Sequence, residues 1–533
     1  IRLDISYEYT HRGEGVTIDI GLFDPVGFRG WSGSNKSSFF ISREAASPSY
    51  RAGELPPGRW RILLGVAHVR EGLTSHYTVR IRTTTGRVER TDEMSAIPGV
   101  VLKKGPGWYR GDLHAHTGHS DGFCRNEGKQ LVPCPVFRVA EAARARGLDF
   151  LAITDHNTTS HHAELASLQG YFTTLLLIRG QELTTYRGHA NLYGTSEFVD
   201  FRLGMDGRTV NDLLDEAHRA GGLISINHPS FPTGEMCRGC GWQDTATTDF
   251  SRVDMVEVIN GTRVEGPLSG IPFWQDRLNE GYRITAIGGG DDHRAGSGEQ
   301  PENVMGVPTT VVFARELSEA AILAGLKAGH AYIRTRGPDG PHVELTAEDQ
   351  QGRRFLMGDE MVVRPDETIT LTIWVKDGGG QKIEIVKNGQ MDGAAVPVTS
   401  SDFRTTVRIF ASDRAWYRVT LRDDRGITAI TNPIYIRLSK TTSARRESVL
   451  RDAAQTFRPA TVSSLESMRR FLHNHRTQAF PSDVAPWRKR LFCTLEDTYG
   501  KVNIERWRPT GSAVDIHPLD PVAAGVRIPC ASE

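Results

Sequence analysis

The sequence predicts an α/β domain built on a parallel sheet, placed between two antiparallel β-domains. Short β-rich runs separated by Gly/Pro turns fill residues 1–105 and again residues 338–438, a pattern typical of antiparallel sandwiches. Between them, over residues 106–337, β-rich runs alternate with helical stretches, as in parallel sheets that are open or closed into a barrel. A chain of 533 residues is long enough for roughly three to four domains.

The first domain, residues 1–105, contains five β-rich runs. They are LDISYEY, VTIDIGLF, SSFFIS, WRILLGVAHV and YTVRIRT. The segments DPVGFRGWSG and GELPPG are rich in Gly and Pro, which predicts turns between these strands. The domain has no cluster of catalytic residue types, so we expect the chemistry elsewhere.

The middle domain, residues 106–337, alternates strand-like and helical segments. The apolar runs are GDLHAH, LDFLAITDH, LLLIRGQEL, GHANLYG, LISINHP, DMVEVIN and ITAIGGGDDH. Helical periodicity marks VFRVAEAARARG, TVNDLLDEAHRAGG, IPFWQDRLNEG and SEAAILAGLKAG, and Gly147 is a C-cap signal for the first of them. This alternation predicts a parallel sheet.

The third domain, residues 338–438, returns to strands and predicts a second small sandwich. Its runs are HVELTAE, TITLTIWVKD, KIEIVKNG, TTVRIFA, WYRVTLRD and NPIYIR. The stretch SKTTSARRES then resembles a linker. Residues 439–533 mix helical stretches such as SSLESMRRFLHNH with Pro-rich segments, and their pattern predicts no function.

Composition narrows the class of protein. Lys plus Arg and Asp plus Glu both number 64, so the formal charge is zero, which disfavours a nucleic-acid partner and favours a small-molecule substrate. No apolar run approaches the roughly 20 residues that a membrane span needs. The first residues lack the charged start and apolar core of a signal peptide. A mature secreted protein would look the same, because its signal peptide would already have been removed.

His, Asp and Glu residues gather where the middle-domain strands end. His114 and His116 stand two residues apart, so on a strand both would face one side. The other members of this set are Asp121, Asp155, His156, Glu182, His189, His228, Asp291 and His293. Catalytic groups of barrel enzymes collect at the C-terminal ends of the strands.

A lone His after a strand is more often a hydrogen-bonded structural residue than a ligand. Here, however, the pattern recurs at five strand ends. Burying so many imidazoles and carboxylates together without a cation would leave charges and donors unpaired. Such mixed sites suit Zn, Mn or Fe, and carboxylates can bridge two ions. The sequence therefore predicts a multinuclear metal centre.

These segments also carry a family resemblance. GDLHAHTGHSDG, FLAITDHN, GQELTT, SINHP and GGGDDH resemble the successive motifs of the PHP (polymerase and histidinol phosphatase) superfamily of metallohydrolases, over about residues 108–335. The resemblance implies a distorted (β/α)7 barrel, here flanked by an N-terminal and a C-terminal β-sandwich, that holds two or three divalent metal ions. SDGFC…PCPVF, TDHNTTSHH and GHANLYG, with the β-rich segment before them, resemble the carbaryl-hydrolase-like CehA/McbA-type branch.

Carried over position by position, the resemblance implies three groups of ligands. The first ion would be held by His114, His116, Glu182 and Asp291. The second ion, bridged by Glu182, would be held by His189 and His228. The third group is Asp121, His156 and His293, which holds another ion or donates protons. The family spacing Asp-x-His excludes Asp292 as a ligand, and Asp155 is expected to orient one.

The resemblance also implies a mechanism. A hydroxide that bridges two ions would attack phosphorus or a carbonyl carbon, with Glu182 holding both ions. His293 or His156, where free of metal, would protonate the leaving oxygen. Arg294 and Arg187 are candidates to bind an anionic substrate. The superfamily implies a phosphoester substrate, whereas the branch implies an ester, carbamate or amide.

Three further histidines, His119, His161 and His162, follow the first two motifs. They lie in predicted loops near the mouth of the barrel, where a role in substrate binding is the alternative, and we expect them to be solvated.

Four cysteines lie in two loops above the same end of the predicted barrel. Cys237 and Cys240 form CRGC after SINHP, and Cys124 and Cys134 bracket the loop after the first motif. Two structural disulfides would indicate an oxidising compartment and so a periplasmic or secreted location. A four-cysteine zinc site is the alternative, although the Cys124–Cys134 gap is longer than a usual CxxC pair. The spacing favours disulfides.

An alternative function is a binding protein built on the two sandwiches, with a structural and catalytically inactive metal barrel. That hypothesis predicts missing ligands, yet none of the main positions is vacant in this sequence. No P-loop, GxSxG elbow or dinucleotide-binding GxGxxG fingerprint is present. A metal-dependent hydrolase is therefore the first expectation.

Overall fold

The computed structural model describes residues 1–84, 99–235, 237–365 and 367–439, and two short strands near the C-terminus. Residues 1–439 form one unit and residues 440–533 another. The helix predicted at SSLESMRRFLHNH and most of the predicted linker lie outside the described residues. Within the described ranges, no helix combines the length and apolar character that a membrane crossing requires.

The N-terminal region consists of six strands. They are β1 (Arg2–Tyr9), β2 (Val16–Phe23), β3 (Phe28–Gly33), β4 (Ser38–Ser42), β5 (Arg61–Val69) and β6 (Tyr77–Thr84). They form two antiparallel three-stranded sheets, in the orders β4-β1-β6 and β3-β2-β5. Both sheets contribute to one apolar core that includes Ile5, Ile20 and Ile41. The five strands predicted here are confirmed.

The predicted turn DPVGFRGWSG is wrong in its second half, which forms β3. The strand pairs with β2 through two register shifts, which let an irregular edge strand keep its hydrogen bonds. Trp31 is only 7% exposed and its ring lies 5.3 Å from that of Phe201 in the middle region. Burial of this indole therefore outweighs the turn propensity of its neighbours.

The middle region contains eleven strands, five α-helices and two 3-10 turns. In chain order they are β7 (Lys103–Asp112), β8 (Phe123–Arg125), β9 (Leu131–Pro133), α1 (Val136–Ala145), β10 (Phe150–Ile153), α2 (His162–Gln169), β11 (Leu176–Thr185), β12 (Gly188–Tyr193), the turn Met205–Gly207, α3 (Val210–Arg219), β13 (Leu223–Ile226), the turn Phe250–Arg252, β14 (Met255–Asn260), α4 (Ile271–Glu280), β15 (Thr285–Gly289), β16 (Thr309–Leu317), α5 (Glu319–Lys327) and β17 (Ala331–Arg334). The four predicted helices are confirmed as α1, α3, α4 and α5, whereas α2 was not predicted.

The sheet of the middle region is mixed rather than parallel throughout. Strands β7, β10 and β11 are parallel neighbours, as are β13, β14 and β15. Strand β12 runs antiparallel to both β11 and β13. Only Tyr186 and Arg187 separate β11 from β12, and two residues can close a hairpin but not a parallel crossover.

The C-terminal region contains eleven strands. They are β18 (His342–Glu348), β19 (Arg354–Leu356), β20 (Glu360–Val363), β21 (Thr368–Lys376), β22 (Lys382–Lys387), β23 (Gln390–Met391), β24 (Val396–Pro397), β25 (Asp402–Phe410), β26 (Ala415–Asp423), β27 (Gly426–Thr431) and β28 (Ile434–Leu438). The six predicted runs are confirmed within them. Two further short strands, β29 (Pro509–Thr510) and β30 (Ala513–Val514), pair with each other.

One large sheet links the middle and C-terminal regions. Strand β17 pairs antiparallel with β27, so the order β15-β14-β13-β12-β11-β10-β7-β16-β17-β27-β26-β22-β23 is continuous. A separate sheet, β19-β18-β21-β25, contributes with β22, β26 and β28 to one apolar core that includes Val343, Ile373 and Val419. The structure is therefore a mixed α/β fold with a large mixed sheet.

Candidate metal centre

The residues predicted as ligands lie at or just beyond the strands of the middle region. His114 and His116 follow the end of β7, with Ala115 between them in a single bridge to Asp292. His156 follows β10, His228 follows β13, and Asp291 and His293 follow β15. Glu182 and His189 instead lie within β11 and β12, whose hairpin brings them together. The expectation that His114 and His116 lie on the strand itself is therefore wrong.

Glu182 stands at the centre of the cluster and is 1% exposed. Its Oε2 lies 3.3 Å from His114 Nε2, 3.4 Å from His116 Nε2 and 3.0 Å from His156 Nδ1. Its Oε1 lies 3.3 Å from His189 Nδ1 and 3.5 Å from His228 Nε2. The two oxygens thus face different sets of imidazoles, as a bridging carboxylate requires.

Asp291 completes a second set of donors. Its Oδ1 lies 3.3 Å from His114 Nε2 and 3.1 Å from His116 Nε2. The ligand atoms of these three residues all lie within 4.8 Å of one another, as do those of His114, Glu182 and His228. His114 belongs to both sets, so the two possible cation positions would lie next to the same imidazole.

The third set surrounds Asp121. Its Oδ1 lies 3.4 Å from His293 Nε2, 3.6 Å from His156 Nε2 and 3.9 Å from His116 Nδ1. The sequence assigned only His156 and His293 to this group, and the structure adds His116 through its second ring nitrogen. All nine candidate ligands thus lie in one cluster.

The donor set fits divalent cations. Asp121 Oδ1 is buried and has no hydrogen-bond partner among the described residues, although three imidazole nitrogens surround it. A buried carboxylate oxygen without a partner costs roughly 1–3 kcal/mol or more, which a bound cation would remove. Imidazole and carboxylate donors are those that Zn, Mn and Fe accept.

The electrostatics differ between the two sides of the cluster. Burial alone would raise the pKa of Glu182, but the imidazoles of His114 and His156 hold it well below its usual range. Burial, with the neighbouring His293 and His156, lowers the pKa of His116 to about 4. Burial would also lower the pKa values of His156 and His293, yet the carboxylate of Asp121 raises them to about 9 and about 10.

Two of the candidate ligands have strained backbone. His228 and Asp291 adopt positive φ values of 27° and 53°, directly after their strands. Such conformations cost on the order of 1–3 kcal/mol for residues other than Gly and cluster at functional sites. The preceding Gly289 has no room for a side chain, because a Cβ there would lie 2.5 Å from His114 Cβ. This close approach accounts for part of the GGGDDH motif.

The sequence missed three polar partners behind the candidate ligands. Glu257, on β14, has its Oε2 2.7 Å from His114 Nδ1, and both side chains are fully buried. Asn260 donates from Nδ2 to Glu257 Oε1 and Asp291 Oδ2, and Asn227 donates to Glu182 Oε1. Such partners orient metal ligands. A carboxylate inside the apolar run MVEVIN was the signal that could have identified Glu257.

Asp155 and Asp292 hold loops rather than reaching the cluster directly. Asp155 accepts from the backbone N–H groups of Thr117 and Ser120 and from both of their hydroxyls. It therefore fixes the loop that follows His116. Asp292 accepts from the backbone N–H groups of Arg294, Gly296 and Met305. Its oxygens are occupied by this loop.

The expectation of solvated histidines is wrong for His161 and His162, which are 0% and 6% exposed. The Nε2 of each ring donates to the carbonyl of Gly180 on β11. Both residues are buried because the helix α2, which begins at His162, packs on β11. The sequence of α2 has too little apolar periodicity to predict this helix. His119 is partly buried, with its Nδ1 2.6 Å from Ser160 Oγ.

The two candidate substrate-binding arginines have different surroundings. Arg187 forms a two-pronged ion pair with Asp244, so its guanidinium is already neutralised. Arg294 donates from Nη1 to the carbonyl of His293, and its guanidinium lies 5.9 Å from the Phe123 ring. Of the two, Arg294 is bonded to the backbone of a candidate ligand, and no carboxylate among the described residues forms an ion pair with it.

The N-terminal region contacts the loops of the centre, which the sequence did not predict. Lys36 Nζ donates to the carbonyls of Gly118 and Ser120, at 3.2 and 3.4 Å. Tyr186, in the β11–β12 turn, donates to Asp19 on β2 at 3.0 Å. The N-terminal region thus borders the site.

The four cysteines form two disulfides, Cys124–Cys134 and Cys237–Cys240. This is the arrangement that the spacing favours over a four-cysteine zinc site. The first links β8 to the residue after β9, in the loop that follows His116. The second closes the CRGC turn beyond His228, whose Nδ1 lies 2.9 Å from the carbonyl oxygen of Cys240.

No family model matches the chain. An uncharacterized protein of Methanocaldococcus jannaschii is 28% identical over 167 residues, which cover 30% of this chain and 88% of that protein. The chain is also similar to the crystal structure of a two-domain protein containing a predicted PHP-like metal-dependent phosphoesterase from Bacteroides vulgatus. That match has 19% identity and a TM-score of 0.36, and covers 65% of this chain and 100% of the other.

A second solved structure, a protein from Bifidobacterium adolescentis proposed to be a metal-dependent phosphoesterase, is 17% identical. It matches with a TM-score of 0.26 over 36% of this chain and 91% of its own.

Proposed function

We propose that this chain is a metal-dependent hydrolase of the PHP type that acts on a small-molecule ester. The observation that carries the proposal is the clustering of nine buried or half-buried imidazoles and carboxylates, with Glu182 and Asp121 among them. A structural role alone gives no reason to gather so many titratable groups around an unpartnered carboxylate oxygen. The motifs GDLHAHTGHSDG to GGGDDH support the same assignment.

The architecture we propose is a distorted (β/α)7 barrel flanked by two sandwiches. In support, the Thr310 hydroxyl of β16 donates to the carbonyl of Gly288 and accepts from its N–H. These bonds connect β16 to β15, although the two strands are not neighbours in the sheet order. The two N-terminal sheets share one core, as do the two layers of the C-terminal region. A nearly closed sheet would bring the strand ends together.

The proposed ligands form three groups, two of which share Glu182. His114, His116, Glu182 and Asp291 would hold one ion, and Glu182, His189 and His228 a second. Asp121, His156 and His293 would hold a third or act as proton donors. When bound, such ions supply a hydroxide nucleophile near neutral pH and neutralise the charge that develops on the attacked oxygen.

The chain's own residues would position the ligands and move protons. Glu257 fixes the ring of His114 through a 2.7 Å contact, and Asn227 fixes Glu182 through a 3.0 Å hydrogen bond. These contacts set which nitrogen or oxygen faces the cluster. Pre-oriented donors lose little freedom when a cation binds, so the geometry favours tight binding.

His156 and His293 are the proposed proton donors. Their side chains are 22% and 20% exposed, whereas those of His114 and His116 are fully buried, so a substrate reaches only the first pair. Where no ion occupies the third group, burial would lower their pKa values but the carboxylate of Asp121 raises them, so each ring holds a proton near neutral pH. A charged imidazole beside the substrate can protonate a leaving oxygen.

The substrate class follows from two competing resemblances. The superfamily favours a phosphoester and the narrower branch favours a carboxyl or carbamate ester. Arg294 supports an anionic substrate, because within the described part of the chain its guanidinium forms no ion pair with a carboxylate. We therefore put the phosphoester first. The alternative of an inactive binding protein predicts that some ligand positions have lost their His, Asp or Glu. All nine positions of this sequence retain such a residue.

The test is hydrolysis of two matched reporters by the metal-loaded full chain. One is bis-p-nitrophenyl phosphate and the other a naphthyl N-methylcarbamate, each also assayed with His114→Ala and with His76→Ala. His76 is exposed in the N-terminal region and serves as the matched control. We expect phosphodiester turnover that His114→Ala abolishes and His76→Ala retains.

Turnover of the carbamate alone, with the same dependence on His114, would assign carbonyl chemistry and reject the phosphoester. Turnover of neither reporter, or turnover that survives His114→Ala, would contradict the proposed centre.

A further inference from the structure

We propose that Cys237, Cys240 and His189 form a second kind of metal site, for a soft divalent ion such as zinc, which the Cys237–Cys240 disulfide closes. The site would exist only in the reduced protein. It is distinct from the imidazole–carboxylate centre because two of its three donors are thiolates. It does not depend on the proposed hydrolase function.

The three residues are already close together. A ring nitrogen of His189 and the Sγ atoms of Cys237 and Cys240 all lie within 4.8 Å of one another. Zinc bonds of about 2.3 Å to sulfur and about 2.0 Å to nitrogen place neighbouring ligand atoms of a tetrahedron less than about 4 Å apart. Only a small separation of the two sulfurs is needed once their bond is broken.

His189 has a free nitrogen in a buried position. The residue is 5% exposed, and its Nδ1 lies 3.3 Å from Glu182 Oε1. Its Nε2 is buried and has no hydrogen-bond partner among the described residues. One nitrogen of this ring lies beside two sulfurs and one nitrogen is buried without a partner, so His189 can accept a ligand that the oxidised structure does not supply.

The CRGC turn is held by bonds other than the disulfide. Gly234 N donates to the carbonyl of Cys237 at 3.0 Å, and Gly239 N donates to Thr233 Oγ1 at 2.7 Å. Gly239 has a φ of 78°, and a Cβ on it would lie 2.2 Å from the carbonyl oxygen of Thr185 on β11. The turn therefore packs directly on the hairpin that carries His189. Its shape should persist after reduction, which keeps both thiols near the imidazole.

The chemistry requires a reductant. A dithiol reductant gives two electrons and two protons to the Cys237–Cys240 bond, which becomes two thiols, while the reductant becomes a disulfide. Binding of a divalent ion then displaces the two thiol protons and leaves two thiolate ligands. Two thiolates and one imidazole suit zinc and similar soft ions, with a fourth position left open. Cys237 is only half-buried, so a reductant can reach it.

The site would be coupled to the neighbouring centre. His189 also faces Glu182, and the carbonyl of Cys240 accepts from His228 Nδ1 at 2.9 Å. An ion held by the thiolates would compete for His189, and it would bind to the same turn whose Cys240 carbonyl orients His228. The redox state of this pair would thus control two of the proposed ligands of the second ion.

The experiment measures binding of Cd²⁺ to the full chain, because thiolate–cadmium bonds give an ultraviolet charge-transfer absorption that imidazoles and carboxylates do not. A variant with Cys124, Cys134, Cys493 and Cys530 replaced by Ser leaves only the CRGC thiols.

This variant is titrated with Cd²⁺ with and without prior reduction by a phosphine. Cys237→Ser/Cys240→Ser and His189→Gln are made in the same background, with His76→Gln as the matched control. The wild-type chain, reduced and oxidised, is titrated in parallel in case the multiple variant does not fold.

We expect the reduced protein to bind one more equivalent of Cd²⁺ than the oxidised protein, with the absorption present only after reduction. Cys237→Ser/Cys240→Ser should remove it. His189→Gln should weaken Cd²⁺ binding more than about tenfold. Losing a residue that merely orients a metal ligand already costs about tenfold or more in affinity, and His189 is proposed as a ligand itself.

A reduced, folded protein without the absorption, or with unchanged affinity in His189→Gln, would overturn the site. So would a disulfide that stays intact in the folded chain under reduction, which would make it purely structural. Neither result would affect the reporter assays, and failure of those assays would not affect the Cd²⁺ absorption.

Discussion

The middle and C-terminal regions share one continuous sheet, yet they bury very different side chains. Beyond β7, β10, β13 and β15, the middle region buries imidazoles and carboxylates around Glu182. On the other side of the β17–β27 pair, the C-terminal region packs an apolar core that includes Leu371, Ile373 and Val419. The first arrangement brings together groups that could hold a cation, whereas the second is stabilised by close apolar packing alone.

This difference separates two sources of stability within one sheet. Apolar packing contributes whether or not a ligand is present. A cluster of buried titratable groups gains free energy from whatever cation binds to it, by an amount that grows with the cation concentration over its Kd. Variants in the two regions should therefore respond differently to metal.

The largest effect should come from Glu182→Ala. Glu182 faces five imidazoles, so its removal should cost at least one bound ion per chain and lower turnover more than about a thousandfold, because the ions supply the nucleophile. Metal content after dialysis and the reporter assay measure both effects. Glu280→Ala, an exposed residue at the end of α4, is the control. Full activity of metal-replete Glu182→Ala would reject the assignment.

The second effect should come from Ile373→Ala in the C-terminal core. Ile373 is fully buried on β21, so the substitution should lower the free energy of unfolding by about 2–5 kcal/mol through lost burial and a cavity. Urea unfolding with and without added metal measures this. The loss should be the same in both conditions, and metal bound per folded chain should not change. If added metal reduced the loss of unfolding free energy, the stability of the C-terminal core would depend on the metal centre, against this prediction.

A smaller effect should come from Glu257→Gln, behind His114. The amide keeps the shape of the side chain but weakens the 2.7 Å contact with His114 Nδ1. Metal affinity should fall by about 10–100-fold while the fold is retained. Competition with a fluorescent chelator gives the Kd. Unchanged affinity would mean that His114 is oriented by the backbone alone.

The smallest effect should come from His218→Gln, at the end of α3. The hydrogen bond with Asp254 raises the pKa of His218 above its ordinary value, and the ring is about one-third exposed. Its stabilisation is therefore fully present below the unfolded pKa of about 6.5 and lost as pH rises through the higher folded pKa. We expect a loss below about 1 kcal/mol at acidic pH and almost none at alkaline pH, by thermal unfolding. The opposite pH trend would contradict the pairing.

Much of the site could be predicted from residue type and order. The candidate ligands are polar residues at the ends of apolar runs, a pattern that the sequence shows directly. The β11–β12 hairpin was not predicted, because the alternation of strands and helices favours a parallel sheet throughout. Glu257 was harder, because a single carboxylate in an apolar strand does not show which residue it faces. His161 and His162 were misassigned because α2 has little apolar periodicity, and its burial depends on β11 beside it.

The sequence by itself determined which residue types occur at which strand ends, because strand periodicity and polarity are local properties of the chain. Only the tertiary structure decided which oxygen of Glu182 faces which imidazole, that His116 reaches Asp121, and that His189 lies beside Cys237 and Cys240. Those contacts join residues far apart in the chain. They depend on sheet order and on the antiparallel course of β12, and these follow from packing of the whole domain rather than from any one segment.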